Sequence, residues 1–354
     1  MIRAKIIGAS GYGGIGIIEL LHSHPEAEIA TLVAMESVGM PISDLYPHLK
    51  GFCDKVVVAP DSPEAQAPVD VVFMATPDKV GMKYARVELE RGAKVIDYSG
   101  DFRFNTAEAY AEYARRIGKD PAHEAPDLLA ESVYGAPELH RADITPARRI
   151  VGNPGCFAIS CILGLAPAAK AGLIRPGSII CDCKSGISGA GKKLAAPHHF
   201  PNRHEQVNAY KLAGHQHVCE IERELSLLAG VEQTVTFTAQ VVPISRGIIS
   251  TLYADLARPA DEAAVLDIYR DFYPESGFVR VFPSASAASI GTMQVRGTNY
   301  TDIVVSVDAR NNRLRIVSII DNLMKGQAGS ALQNMNLLFG LPEKTGLDRI
   351  GIYP

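Results

Sequence analysis

Short apolar runs alternate with amphipathic stretches through the first part of the chain. Arg3-Ala4-Lys5-Ile6-Ile7 predicts a strand, and Ile15 to His22 predicts a helix with Ile17, Ile18, Leu20 and Leu21 facing the core. Glu28 to Ala34 is a second strand, Val69 to Ala75 a third that stops at Thr76-Pro77, Val80 to Arg91 an amphipathic helix, and Lys94 to Ser99 the next strand. Strands separated by helices predict a doubly wound parallel sheet, whose ligands sit beyond the carboxyl ends of the strands. Residues 104–130 look helical and charged, a solvated excursion. Phe157 to Leu165 carries no charge and reads as a buried helix. After it the pattern changes to longer alternating strands: Ser178 to Cys183, Gln233 to Pro243, Gly247 to Leu256, Thr301 to Asp308 and Arg313 to Ile320. This predicts a largely antiparallel sheet carrying helices. The expected class is therefore α/β, with domains at 1–155 and 156–321. A last helix, about Asn322 to Phe339, lies in a segment 322–354 that returns to the first domain.

The first strand runs into Gly8-Ala9-Ser10-Gly11-Tyr12-Gly13-Gly14, with glycines 8, 11 and 14 where a strand becomes a helix. In that context the backbone can approach a pyrophosphate seated at the helix N-terminus, so a Rossmann-type dinucleotide site is expected; a tight structural turn is the alternative. The second strand should end near the adenine ribose, at Met35-Glu36-Ser37. An acid there bonds the ribose hydroxyls of NAD, and Glu36 argues for it. Ser37 and Ser10 offer hydroxyls to the 2′-phosphate of NADP, and both cofactors stay open. Thr76, Pro77 and Ser99-Gly100-Asp101 follow strand ends and belong near the same ligand.

Composition narrows the classes. The 354 residues suffice for two domains with substantial cores, and 47% hydrophobic with 21% charged residues is ordinary for an α/β enzyme. A net charge of −4 leaves no basic footprint for nucleic acid or an anionic membrane. No apolar run reaches the roughly 18 residues that span a bilayer. The first strand starts at once, which predicts no leader peptide. Cysteines 53, 156, 161, 181, 183 and 219 show no metal or secreted-framework spacing and predict a reducing cytoplasm.

Among these six, Cys156 stands apart. Asn153-Pro154-Gly155-Cys156 is a turn that opens the uncharged helix, so the thiol meets the positive end of the helix dipole and unpaired N–H groups. Both favour the thiolate, and Cys156 is the expected nucleophile; a small buried cysteine is the alternative. Gly214-His215-Gln216-His217 precedes a helical stretch. One of its imidazoles would serve as acid and base, His215 ahead of His217 because only one should face the thiol at a helix start, with Glu220 orienting it. Both as ordinary helix-start histidines is the alternative. His198-His199 and His204 lack a second ligand cluster, so no metal is expected. In Ser185-Gly186-Ile187-Ser188-Gly189-Ala190-Gly191, small residues, hydroxyls and N–H groups suit close approach of ligands, against the alternative of a flexible surface loop. Arg103 and Arg246 are candidate holders of phosphate or carboxylate, unless they serve as structural partners, Arg103 of Asp101 for one.

Taken in order, Gly8 to Gly14, Asp97-Tyr-Ser-Gly-Asp-Phe-Arg103, Tyr134-Gly-Ala-Pro-Glu-Leu139, Asn153 to Cys156, Ser185 to Gly191, Gly214 to His217, Asp321-Asn-Leu-Met-Lys-Gly-Gln-Ala-Gly329 and Gln333-Asn-Met-Asn336 resemble the N-acetyl-gamma-glutamyl-phosphate reductases, relatives of the aspartate-semialdehyde dehydrogenases. The resemblance covers nearly the whole chain. It implies a glyceraldehyde-phosphate-dehydrogenase-like two-domain fold and NADP as cofactor, with Gly8, Ser10, Gly11, Tyr12, Gly13, Gly14, Ser37, Thr76, Pro77, Ser185, Gly186, Gly189 and Asn322 around it. It also implies a small acyl-phosphate substrate, for which Arg103, Ser188 and Arg246 are the candidate holders, a Cys156 nucleophile with a histidine acid/base, and a homo-oligomer, a tetramer or dimer. Two departures matter. Glu36 sits where relatives often carry Ser, Thr or Arg, and Pro197-His-His-Phe-Pro-Asn-Arg-His-Glu205 is similar to lysine-biosynthesis sisters whose aminoadipyl phosphate rides on a carrier protein. A non-catalytic dinucleotide sensor is the reading from another class.

Overall fold

Val71-Val72-Phe73-Met74 is apolar throughout and fully buried, as a strand covered on both faces must be. It is the fourth of seven parallel strands: β1 Ile2–Ile7, β2 Ala27–Val33, β3 Val57–Val58, β4 Val71–Met74, β5 Lys94–Asp97, β6 Ser132–Tyr134 and β7 Ile150–Gly152. Their order is β3-β2-β1-β4-β5-β7-β6. The order reverses between β1 and β4, which opens a crevice at their carboxyl ends. Helices α1 Tyr12–His22, α2 Gly81–Glu90 and α3 Ala107–Arg116 belong to this half. In this computed structural model, which describes residues 1–275 and 277–353, the chain divides into two compact units. Unit 1 joins Met1–Pro154 to Gln327–Asp348; unit 2 holds Gly155–Gly326 and the stretch that begins at Arg349.

The excursion at 104–130 departs from expectation. Only Ala107–Arg116 is α-helical, and it is amphipathic: Glu108, Glu112, Arg115 and Arg116 carry the charge while Tyr110 and Tyr113 are fully buried. These two rings pack with Phe104 (5.2 Å from Tyr113) and His123 (4.7 Å from Tyr110). The segment is thus part of the core, because residues three apart share one helix face.

In unit 2, β8 Ile179–Ser185, β9 Asn208–Tyr210, β10 Val235–Val241, β11 Ile248–Asp255, β12 Val279–Pro283, β13 Thr301–Asp308 and β14 Arg313–Ile320 form a second sheet, ordered β12-β13-β14-β11-β8-β10-β9. Pairing is antiparallel except for β8 with β10 and β12 with β13. Along β11 buried and half-buried residues alternate, the mark of a sheet with one covered face. Helices α4 Cys156–Lys170, α5 His217–Ala229 and α6 Glu262–Phe272 accompany it. From Phe157 to Ala169 every residue of α4 is buried. A Cβ on Gly164 would strike Leu252 Cδ1 of β11, so glycine lets helix and sheet approach closely. Ser160 Oγ lies 2.9 Å from Ser250 Oγ and 3.2 Å from Ser318 Oγ, a hydroxyl cluster that fixes the helix on the sheet. Pro167 sits inside α4 and cannot donate to the carbonyl four residues back. Tyr273 supplies the missing donor, its hydroxyl 2.6 Å from Leu163 O, and the Tyr269 hydroxyl donates to Gly164 O at 2.7 Å. The last helical segment begins with a π-turn, Met324–Ala328, and continues as α7, Gly329–Leu338, which returns to unit 1. No helix among the described residues is long and apolar enough to cross a membrane.

Candidate active site

The glycine turn of unit 1 is built by close backbone approach. Gly8 has φ +90°, its N–H and that of Ala9 both donate to Val33 O, and a Cβ there would strike Ala75 O. Gly14 is pressed on Gly8 O and on Ala9 Cα, where a Cβ would stand only 2.6 Å away. Gly13 meets the Gln327 amide and the Tyr98 ring. Gly11 is the N-cap of α1 and differs: its Cβ would meet only Gly8 O, at 3.6 Å. The first turn of α1 carries no acid, so its opening N–H groups present a bare positive end. Tyr12 starts the helix, Ser10 is buried with its carbonyl accepting the Tyr46 hydroxyl at 2.9 Å, and Thr76 Oγ1 past β4 is buried without a partner. Met35 and Glu36 are exposed after β2, and Ser37 takes a left-handed φ of +65°. These residues fit a dinucleotide: the turn suits a pyrophosphate, and the orphaned hydroxyl suits a polar ligand atom.

Beyond β5 the chain knots on itself. The Asp101 carboxylate accepts Lys79 N (2.9 Å) and Met82 N (3.2 Å) at the start of α2. Asp97 is fully buried; Ser99 Oγ donates to its Oδ2 at 2.6 Å, while Oδ1 has no partner. Burial, and then Asp101 close by, push the Asp97 carboxyl well above the usual range. Arg103 Nε donates to Asn153 O (2.8 Å) and Nη2 to Tyr98 O (2.6 Å), so this guanidinium braces the turn that leads to Cys156.

In unit 2, Cys156 is the first residue of α4, Gly155 is its N-cap in extended backbone, and the thiol is half-exposed. The other five cysteines are buried. Cys161 and Cys183 touch, Sγ to Sγ 3.5 Å, and burial raises both thiols. Gly155 is wedged: its N–H donates to Glu220 Oε2 at 3.0 Å, and a Cβ would strike His217 Nε2 and Cδ2 and approach Glu220 Oε1 to 2.9 Å. On the other side Gly326 of the π-turn abuts Cys156, where a Cβ would sit 2.8 Å from the cysteine's own Cβ. Glycine at 326 is required by this contact, and sequence reading missed it.

Both histidines border the cavity that Cys156 lines. The His215 ring lies 4.8 Å from that of His217 and within 6 Å of Phe157, Phe237 and Tyr210. Its Nδ1 accepts the His217 backbone N–H at 3.3 Å, which places the ring proton on Nε2. Burial, helped by the Lys211 charge, pulls His215 down to about 4. It is therefore neutral near pH 7.

The Ser185 to Gly191 loop is ordered by backbone pairing: Gly186 N–H donates to Gly247 O, Ile187 N–H to Ile244 O and Ser188 N–H to Ser245 O. Asn322 clamps it, with Nδ2 donating to Ser188 Oγ at 2.9 Å and Oδ1 accepting Gly247 N–H at 2.7 Å. Gly189 packs 3.1 Å from Ser185 Oγ, counted from the Cβ it lacks. Arg246 is held by buried Asp321, 2.9 Å to Oδ2. Cys156, Ser185, Gly186, Gly189, His215 and His217 all border one cavity of about 520 Å³, together with Tyr210, Arg203 and Lys211 that sequence reading left out. Burial raises the Tyr210 hydroxyl. No group of three His, Cys, Asp or Glu side chains that could hold a metal occurs among the described residues.

Two family models match the chain: "Semialdehyde dehydrogenase, NAD binding domain" over residues 3–147 and "Semialdehyde dehydrogenase, dimerisation domain" over residues 156–322. The chain is 42% identical to the N-acetyl-gamma-glutamyl-phosphate reductase of Geobacter sp. (strain M21) over 355 residues, all of both chains. It is 44% identical to that of Symbiobacterium thermophilum over 355 residues, 100% of this chain and 99% of the relative. In fold it is similar to aspartate semialdehyde dehydrogenase II of Vibrio cholerae, solved with ASA (TM-score 0.70, 19% identity, 96% of this chain and 98% of that one). It is also similar to the Candida albicans aspartate semialdehyde dehydrogenase solved with NADP (TM-score 0.61, 17% identity, 96% and 98%).

Proposed function

Because this chain belongs to the N-acetyl-gamma-glutamyl-phosphate reductase family, we propose that it reduces N-acetyl-γ-glutamyl phosphate to N-acetylglutamate 5-semialdehyde, in arginine biosynthesis, through a thioester on Cys156. The observation that carries this reading is a half-exposed thiol at the first position of a 15-residue helix, sharing a cavity with two imidazoles. A helix N-terminus favours the thiolate, and the thiolate is the nucleophile.

Cys156 Sγ bonds to the acyl carbon, and the carbon–oxygen bond to phosphate breaks with the electron pair leaving on phosphate. The thiol proton passes through His217 to the departing phosphate oxygen. Gly8, Gly11 and Gly14 would hold a nicotinamide dinucleotide, whose chemistry would be to supply the hydride that the acyl carbon takes up. When the resulting oxyanion reforms its carbonyl, Cys156 leaves as thiolate and the aldehyde is free. The opening N–H groups of α4 stabilise each oxyanion, an effect typically worth about 2.7–4 kcal/mol per donor. His217 is favoured over His215 because its Nε2 lies against the residue before the nucleophile, whereas Nδ1 of His215 is engaged and that ring is too weak a base at neutral pH. Glu220 orients this corner through Gly155 N–H.

NADP is the preferred cofactor, supported by the hydroxyls of Ser10 and Ser37 at the expected ribose phosphate position. Ser185, Gly186 and Gly189, which border the cavity, and Asn322, which clamps their loop, are assigned to the nicotinamide, and Ser188 to the substrate. Arg103 and Arg246 act by bracing the turn before Cys156 and the loop after β8, given their partners. The chain works in the cytoplasm as a dimer or tetramer assembled through unit 2.

The test is phosphate-dependent oxidation of N-acetylglutamate semialdehyde with each nicotinamide cofactor. Turnover with NADP that vanishes without phosphate supports the reading; turnover only of carrier-linked acyl groups would transfer the enzyme to the lysine branch. Absence of both would leave a dinucleotide sensor.

A further inference from the structure

Four half-buried arginines of unit 2 are each matched with a carboxylate: Arg246 with Asp321, Arg280 with Asp302, Arg313 with Asp255, Arg223 with Glu224. Arg203 is not. It is only 7% exposed, yet among the described residues its hydrogen-bond partners are neutral, Gln206 O and Asn208 Oδ1, both 2.7 Å from Nη2. Its Nε is buried with no partner. A buried cation without a counter-ion is costly and persists where an anion completes it. Arg203 borders the same cavity as Cys156, and that cavity has Lys211 and His198 on its wall but no Asp or Glu. His198 Nδ1 is likewise buried and unpartnered. At about 520 Å³ the cavity falls in the range of small-molecule sites, about 300–1,000 Å³.

We infer that Arg203, with His198 bordering the same cavity, forms the anion site for the free carboxylate of the acyl substrate, and so selects carboxylate-bearing acyl groups. The inference rests on the acyl-phosphate reductase reading above. The substrate carries two anions. Its phosphate is bonded to the reacting carbon and so must lie beside Cys156, which leaves the carboxylate for the Arg203 side.

The oxidative direction separates the two anions, because semialdehyde and phosphate enter as different substrates. Arg203→Met should raise KM for N-acetylglutamate semialdehyde roughly ten- to a hundredfold and leave KM for phosphate within about twofold, with Arg203→Lys recovering part of the loss. The α-amide of the semialdehyde should be a poor substrate for the native enzyme, and Arg203→Met should discriminate little between acid and amide. Asn208→Ala keeps the guanidinium but removes its loop contact; if it reproduced every effect of Arg203→Met, Arg203 would be a loop brace and the assignment would fall. A rise in KM for phosphate instead, or no change in either, also overturns it. Iodoacetamide labelling of Cys156 decides the matter even without turnover. N-acetylglutamate should slow labelling of the native protein and not of Arg203→Met. If the native protein shows no turnover but this difference holds, the reductase reading fails while the anion site stands; equal protection in both proteins removes the site.

Discussion

Helices α1 and α4 begin alike. Each has a glycine N-cap in extended backbone, Gly11 at φ −89° and Gly155 at φ −72°, no capping side chain, no acid in its first turn, and an apolar body. What surrounds the caps differs. Above Gly11 there is room, with Gly8 O at 3.6 Å from a built Cβ as its nearest neighbour, and the helix end is left for a ligand. Around Gly155 the space is filled by His217 and Glu220, and the first helical residue is a thiol instead of Tyr12. The same field at a helix end thus serves two purposes. Left bare it suits a phosphate; given a side chain at the first position and an imidazole behind the cap, it makes a nucleophile.

Cys156→Ser separates the two helix ends most strongly. It should lower kcat by at least about a thousandfold while fluorescence titration finds dinucleotide affinity unchanged; near-normal turnover would falsify covalent catalysis. Next, His217→Asn should cost about a hundred- to a thousandfold in kcat and His215→Asn about tenfold, read from kcat measured on both. Equal losses would erase the distinction between them. Gly155→Ala should lose about a hundredfold in kcat, because the new methyl group displaces the imidazole and carboxylate. Gly11→Ala should fold normally and show its effect in KM for the dinucleotide, on the order of tenfold. Similar phenotypes for the two glycines would mean that their caps do the same work. The smallest effect is on acid stability. His215 is pulled down to about 4 from an unfolded value near 6.5. Its contribution is therefore full above pH 6.5 and lost as pH falls through 4, at most roughly 3 kcal/mol. Denaturant unfolding of His215→Asn between pH 7 and 4 should show a shallower loss than the native protein.

Much of this was legible in the chain. Thr301–Asp308 and Arg313–Ile320 are strands at the expected bounds because long alternating runs leave only one pleated solution. The two cap glycines and Cys156 were readable for the same reason, local chemistry. Tyr110 and Tyr113 were hidden inside a segment whose average is charged, and their burial depends on Phe104 and His123, outside the helix itself. β9 has three residues, paired only along β10, and carries no periodic signal of its own. Gly326 is needed by a contact with a residue 170 positions earlier in the chain, so no local rule marks it. For Arg203 a hint existed, in basic and aromatic residues around it in Pro197 to Glu205, but only burial shows that it lacks a carboxylate.

The proline in α4 has a reach beyond its own turn. Since Tyr273 lends a hydroxyl to the carbonyl that Pro167 abandons, a backbone group of the helix bearing the reactive sulfur is satisfied by a side chain 110 positions further along the chain, just past α6. Evolution or an engineer can therefore tune this nucleophile from behind, by shaving one oxygen from Tyr273, without touching any atom that meets the substrate.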